Sequence, residues 1–556
     1  MFRMWAMALA SLVSTIPIYL VVTAVSASPA SERGRSVVAS DHVLASRAGR
    51  QLLQEGGNAA DAAVAAALAA GVVQPAGSGL GGGGFAVGSD ASGSWVLDFR
   101  EVAPMASTRD MYVGDAGVDS KASRRGGMAV AVPGESRGLA WLLANHGSRS
   151  AGQVAGPAIR LAGRGWTVGD HLGKALGRTD YTDVIDLFSV GGVRAARGGR
   201  VRNPALASTL RRWVRSAGED LHTGVGAAEI VRVAGASNGI LVARDLADWR
   251  PKERKPIECT FRGQTLVTMP PPSSGGVVLC QVLRVIEDHP LHELGHNSSE
   301  YVHLLVEAMK HAYADRAHHL GDPDFVDVPV NRLISDERRD EVRRKIYPTR
   351  TFGVEHYGPK IAPPQDGGTQ HISVVDQHGT AVALTTTINT SFGSGLTAGG
   401  LILNNEMDDF SAAPGTPNAF GLVGSEANAI VAGKRPLSSM TPTVVLDDQG
   451  QVAMSIGASG GSTIISSTLQ VYLNVVVFEM EPQAAVAAPR FHHQWLPDRL
   501  FIEPDFPLDV QRSLSARGHT LDVRPAFSAV QIVVRSDGEV SGGADPRKGG
   551  WPAAVP

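Results

Sequence analysis

The chain has 556 residues, 43% of them hydrophobic and 19% charged, which gives length for several core-sized units and a balance that excludes a disordered chain. A formal net charge of −3 leaves neither a basic field for nucleic acid nor an acidic tail for a basic partner. Glycine, at 64 residues, is frequent enough to imply many tight turns or close backbone approaches.

Met1 to Trp5 carries one arginine, an apolar run follows through Val22, and "AVSASPA" ends it. Residues 1–27 therefore read as a secretory signal cut after Ala27. The rival reading is an uncleaved anchor, since the apolar stretch is nearly long enough to span a bilayer, but Ser11, Ser14 and Pro17 interrupt it. The expected destination is a periplasm or the medium. Cys259 and Cys280 are the only cysteines, so no disulfide framework supports the fold, and the sequence leaves open whether the two pair. The histidine pairs in "FHHQW" and "RAHHLGD" lack partners at zinc spacing, and no metal site is expected.

"VLASRAGRQLLQEGGNAADAAVAAALAAGVVQP" predicts two helices broken at Gly56-Gly57, with Asn58 or Asp61 starting the second. That second helix is apolar on most faces yet too short to cross a membrane, so it is read as buried between layers. "GSGLGGGGFAVG" (77–88) lacks the Lys-Ser/Thr of a phosphate loop and is assigned to close backbone packing. The strand "SWVLDFRE" (94–101) places Arg100 at its end. A helical middle over roughly 150–250 leads to a strand in "TLVTMPPPSSGG", a helix from about Gly275, and another over "SEYVHLLVEAMKHAYADRAHHL". Strand-rich sequence with one helix is expected after the hairpin described next. The pattern predicts one intermeshed α/β body with sheets packed between helices.

"QDGGTQHISVVDQHGTAVALTTTINT" (365–390) holds two apolar-alternating runs around Asp376-Gln377-His378-Gly379, good hairpin chemistry. Centring the hairpin near His378 sets Thr369 directly across from Thr387. Threonine pairs of this kind are common and usually inert. The preceding Gly-Gly changes the balance. Glycine permits the strained backbone needed for the Thr369 hydroxyl to attack its own preceding carbonyl. An N→O acyl shift and hydrolysis would then free the Thr369 amine to act as base for its own hydroxyl. Downstream, "NNEMDDFS" (404–411), "KRPLSSMTP" and "GASGGSTII" (457–465) fall at loop positions. Each has a bland reading as a turn or helix entry, although Gly460-Gly461 offers consecutive N–H groups suited to an oxyanion.

With "EGGNAADAAVA", "LGGGGF", "LDFRE", "MPPPSSGG", "YADR…LGDPDF", "PLSSMTP" and "APRFHHQWLPD" in the same order, the chain resembles the γ-glutamyltranspeptidase family of N-terminal-nucleophile hydrolases, from about Val37 to Arg547. The resemblance implies an α+β, four-layer αββα sandwich and a precursor that cuts itself between Gly368 and Thr369. Residues 28–368 would form a large subunit and 369–556 a small catalytic one, both within one domain. By the same resemblance Thr369 is the nucleophile, with Thr387 bonded to it. Arg100, Ser438 and Ser439 match the grip on the donor's α-carboxylate, and Asn389, Glu406 and Asp409 match the grip on its α-amine. Gly460 and Gly461 match the oxyanion hole. The implied donors are glutathione and other γ-glutamyl compounds, the acceptors are water, amino acids or dipeptides, and no cofactor is implied. Thr369-Gln370-His371 departs from the frequent Thr-Thr-His, Gly368 stands where some members have Asn, and Phe420 stands where Tyr is frequent in the lid of bacterial members.

Two alternatives are compatible with the same fold. One is an acylase of the same fold acting on glutaryl or cephalosporin-type amides, whose substrate lacks the α-amine that Glu406 and Asp409 would meet. The other is a non-catalytic binding protein that kept the fold, against which Thr369 and Arg100 both stand.

Overall fold

A computed structural model of the chain describes residues 31–114, 117–358, 368–411, 425–525 and 528–556. The expected signal at 1–27, Gly367 and Phe420, which the resemblance assigns to a lid, lie outside the described residues.

Two seven-stranded antiparallel sheets form the body. The first runs in the order Lys252–Arg254, Gly93–Asp98, Gly83–Asp90, Ala381–Thr387, Thr369–Val375, Ser36–Ser40, Trp551–Val555. The second runs Glu32–Gly34, Glu539–Ala544, Ala529–Ser536, Val452–Ser459, Thr443–Leu446, Gln264–Thr268, Ile257–Phe261. Strands from before and after Thr369 are thus interleaved in both sheets.

Side chains of successive strand residues point to opposite faces, and here each face of the first sheet meets its own core. Val37, Ala39, Val375, Ala381 and Ala383 pack with Ile456, Val530 and Ile532 between the sheets. Val38, Ile372, Val374, Val382 and Leu384 pack with Leu52, Ala63 and Leu68 from the helices Val43–Gln54 and Ala59–Val73. Burial on both faces explains why the hairpin strands read as near-continuous apolar runs. The helices Gly275–Ile286, Ser299–His319 and Thr463–Val476 cover the other side of the second sheet, completing the four layers.

The start of the helix Ala59–Val73 is set by a reciprocal cap: Asp61 N donates to Asn58 Oδ1 at 3.0 Å and Asn58 N to Asp61 Oδ2 at 2.9 Å. Ala59 N donates to Asp376 Oδ2 at 2.9 Å, while Asp376 Oδ1 accepts from His378 N at 2.9 Å and Thr380 N at 3.1 Å. One carboxylate therefore shapes the hairpin turn and pins it to a helix N-terminus, where negative charge is favoured.

The glycine-rich segment packs backbone on backbone, as expected. A Cβ on Gly82 would lie 1.9 Å from Thr387 O, and one on Gly81 2.2 Å from Ile402 O. Among the described residues the region after the hairpin holds three α-helices, Thr463–Val476, Pro482–Ala487 and Leu508–Ala516, and not one; the last two are short and leave too little periodicity to read. Cys259 and Cys280 form a disulfide that ties the strand Ile257–Phe261 to the helix Gly275–Ile286. Among the described residues no helix is long and apolar enough to cross a membrane.

Candidate active site

Thr369 opens a central strand of the first sheet and pairs in register with Thr387, as the hairpin chemistry predicts. It is buried, and its Oγ1 has no hydrogen-bond partner among the described residues. A buried hydroxyl without a partner is costly, about 1–3 kcal/mol, and is expected mainly where chemistry requires it. The implied hydroxyl bond from Thr387 to Thr369 is not formed. Thr387 Oγ1 accepts instead from Asn389 N at 2.8 Å, because the chain turns back at Asn389 with φ 70° and swings that N–H onto the hydroxyl two residues earlier. The acceptor side of Thr387 is thereby occupied while its own proton remains available to donate.

Gly368 is needed for space. Its φ is outside the left-handed range, but a Cβ there would sit 2.4 Å from Asn389 O and 2.9 Å from the Thr390 carbonyl. The backbone just past the end of the partner strand therefore crosses against the bond before Thr369, and only glycine admits it. On the other side, Lys548 Nζ donates to Thr369 O at 3.1 Å and to Ser459 Oγ at 2.7 Å. Ser459 Oγ donates to Asp41 Oδ2 at 2.9 Å and Gln531 Nε2 to Asp41 Oδ1 at 2.5 Å. Burial pushes the Asp41 carboxyl up to about 6, with Lys548 pulling the other way. Lys548 and Asp41 escaped the sequence reading because they lie at opposite ends of the chain.

Arg100 follows the strand Gly93–Asp98 and is fully buried. Its guanidinium bonds Glu406 through Nη1, Asp409 Oδ2 at 2.5 Å through Nη2, and Pro436 O at 3.4 Å through Nε. Burial disfavours the Arg100 charge, but the Glu406 and Asp409 carboxylates outweigh it and hold the group above its ordinary value. Asp409 is itself raised by burial, with Arg100 acting against the rise. Glu101, 3.7 Å from Arg100, is pushed up by burial, with Arg100 acting against the rise. The expected division of Arg100 for carboxylate and Glu406/Asp409 for amine thus takes the form of one contiguous ion cluster.

Asn389 Nδ2 donates to Asn405 O at 3.1 Å, which sets it beside the turn Glu406–Asp409. Ser438 Oγ accepts from Met440 N at 3.1 Å, and the Ser438 carbonyl accepts from Ser274 N at 2.8 Å and Ser274 Oγ at 2.7 Å. Ser439 Oγ accepts from Arg316 Nη2 at 3.1 Å, while Arg316 Nε donates to Ser274 Oγ at 2.7 Å. Arg316 also lowers Asp409, after Arg100. Arg316 stands in "YADR", but no local pattern assigns it a role, since its partners are 42 and 123 residues away. Gly460 and Gly461 occupy the turn between the strand Val452–Ser459 and the helix Thr463–Val476, with φ of 131° and 71°. Neither N–H donates to a backbone carbonyl among the described residues.

A separate group of ligand-type side chains also went unread. His303, Glu307 and His519 converge within 4.8 Å, the first two one turn apart on the helix Ser299–His319. Each is bonded to protein groups: His303 Nδ1 bonds His519 Nε2 at 2.7 Å, and Glu307 accepts from Thr351 Oγ1 at 2.7 Å, Tyr357 OH at 2.7 Å and Lys310 Nζ at 3.2 Å, while His519 Nδ1 has no hydrogen-bond partner among the described residues.

A profile of the family described as gamma-glutamyltranspeptidase matches residues 45–555. The chain is 39% identical over 526 residues to a glutathione hydrolase proenzyme of Escherichia coli, covering 92% of this chain and 90% of that one. It is 40% identical over 531 residues to a glutathione hydrolase proenzyme of Pseudomonas sp. (strain A14), covering 92% and 91%. The crystal structure of a cephalosporin acylase from Bacillus halodurans matches with a TM-score of 0.84 at 29% identity, covering 95% of this chain and 97% of that one. The chain belongs to the γ-glutamyltranspeptidase family.

Proposed function

We propose that the protein is an exported, self-processing γ-glutamyl hydrolase and transferase acting on glutathione and related γ-glutamyl compounds. The observation that carries this reading is the buried Thr369 hydroxyl, without a partner, at the head of a hairpin whose neighbouring loops hold the Arg100–Glu406–Asp409 cluster. Family membership supplies the reaction class.

A free amino-acid end is a zwitterion, and the cluster presents both signs to it. The planar Arg100 fork suits the α-carboxylate, with Ser438 and Ser439 beside it, and Glu406 and Asp409 suit the α-ammonium with Asn389. Adding a zwitterion changes no net charge in the buried site, so each new ion meets a counterion already there. Held at that end, the donor extends its γ-carbonyl to Thr369.

Maturation precedes turnover. The Thr369 hydroxyl attacks the Gly368 carbonyl, the resulting ester is hydrolysed, and the chain divides into residues 28–368 and 369–556. The freed α-amine of Thr369 then takes the proton of its own hydroxyl as that oxygen attacks the γ-carbonyl. Lys548 fixes the Thr369 carbonyl, the Thr387 hydroxyl keeps a proton to give once the new Thr369 terminus is free to move, and Gly460 and Gly461 N–H groups face the oxyanion. Loss of the leaving amine gives a γ-glutamyl ester, which water or an acceptor amine resolves.

The deciding experiment incubates purified protein with glutathione, with and without a dipeptide acceptor, alongside a glutaryl amide. Release of glutamate and formation of a γ-glutamyl dipeptide are expected. Turnover of the glutaryl amide alone would favour the acylase reading, and no turnover of either would favour the binding protein.

A further inference from the structure

Gln370 stands where the frequent Thr-Thr-His gives way to Thr-Gln-His. By strand alternation its side chain points with Ile372 and Val374 to the helix side of the first sheet. It is buried, and its Nε2 has no hydrogen-bond partner among the described residues. Facing it is Gly77, just past the helix Ala59–Val73. A Cβ on Gly77 would lie 3.0 Å from Gln370 Nε2 and 3.0 Å from the Gly368 carbonyl oxygen, so those two atoms are at most 6.0 Å apart across a gap that only glycine leaves open. Rotation about the last two torsions of the glutamine, the final one being soft, closes that gap. The backbone there has no donor to spare, because Gly77 N already donates to Gln74 O at 3.1 Å.

We infer that Gln370 is a catalytic residue of self-cleavage, its Nε2–H donating to the Gly368 oxygen as that oxygen takes up negative charge. The inference rests on the self-processing reading above. Thr369 Oγ1 attacks the Gly368 carbonyl carbon, a C–O bond forms, and the carbonyl π pair moves onto oxygen, where the amide N–H meets it. The pair then returns, the C–N bond to Thr369 breaks, and the proton that left the hydroxyl ends on the Thr369 nitrogen. Water cleaves the resulting ester, leaving a Gly368 carboxylate and restoring the Thr369 hydroxyl. Gln370 gives up no proton in any of these steps. Its amide is short of a partner before the attack and gains one as the oxyanion forms, and only such a difference between ground and transition states speeds the step.

The test makes the full chain by cell-free translation and follows division of the precursor on denaturing gels. Gln370→Met, close in shape but without a donor, should divide about 10- to 100-fold more slowly, somewhat less than the loss of a fully preorganised oxyanion donor. Gly77→Ala, whose methyl would fill the gap, should slow division in the same way. Gln370→Glu gives a reading that packing alone would not: its carboxylate only accepts when ionised, but donates when protonated. Its deficit against the parent should therefore shrink as pH falls, while that of Gln370→Met stays constant. Each substitution is also placed on Thr369→Ala, where an unchanged melting temperature shows that the fold is kept. A folded Gln370→Met chain that divides at the parental rate, or a Gln370→Glu deficit that does not change with pH, overturns the inference. A parent that never divides overturns the self-processing reading, and this inference with it.

Discussion

Replacing Arg100 by lysine separates charge from shape. The arginine is fully buried and serves Glu406 and Asp409 through different nitrogens, with the Asp409 contact at 2.5 Å. A lysine ammonium is a point charge and cannot hold both carboxylates and a donor carboxylate in the same plane. Losing one charge-assisted hydrogen bond costs about 1.5–3 kcal/mol. At about 1.36 kcal/mol per decade, kcat/KM for glutathione should fall roughly 10- to 150-fold. No donor takes part in maturation, so Arg100→Lys should still divide into two chains on a denaturing gel. Arg100→Met is a harsher control: it leaves two buried carboxylates without a countercharge, and about 3–5 kcal/mol of stability should go with it. Parental kcat/KM in Arg100→Lys would refute the donor assignment. An uncut Arg100→Lys chain would refute the separation of maturation from donor recognition.

Thr369→Ala should leave a folded, inactive chain of residues 28–556 in one band of ~58 kDa where the parent gives about 38 and 21 kDa, all at ~110 Da per residue, and the parent's small chain should begin Thr-Gln-His by N-terminal sequencing. Cys259→Ser/Cys280→Ser removes a cross-link between positions 21 residues apart and should lower the unfolding free energy by about 3 kcal/mol in denaturant titration, with glutathione turnover retained. Asp408, whose carboxyl burial raises to about 6, is protonated more readily folded than unfolded, so its contribution to stability is present below pH 4 and lost as pH rises to 6. Between those pH values Asp408→Asn should therefore lose less stability than the parent in parallel melting curves; identical pH slopes would refute the assignment.

The strongest sequence signals were local. The hairpin register followed from one turn and two alternating runs, and Asn58 with Asp61 marked a helix start through a three-residue cap. Gly81 and Gly82 were legible as close packing because only backbone contact explains such a run. What stayed hidden depends on distant chain segments. Arg316 reaches Ser439 across 123 residues, and Lys548 reaches Thr369 across 179. From the sequence, the reason for Gly368 is conformational freedom, whereas the Asn389–Thr390 backbone crossing beside it supplies a steric one. The Thr387 hydroxyl changed partner because Asn389 adopts a positive φ that no hairpin pattern announces.

The strand that Thr369 heads lies between Ala381–Thr387 and Ser36–Ser40, with Gly83–Asp90 beyond the first and Trp551–Val555 beyond the second. Breaking the chain before Thr369 would divide the covalent backbone but not the folded body. Each product would keep its strands threaded among those of the other, with sheet hydrogen bonds closing over every seam. The two pieces would then be partners for life: mixing isotopically light and heavy preparations of the mature protein would yield no hybrids until both were unfolded.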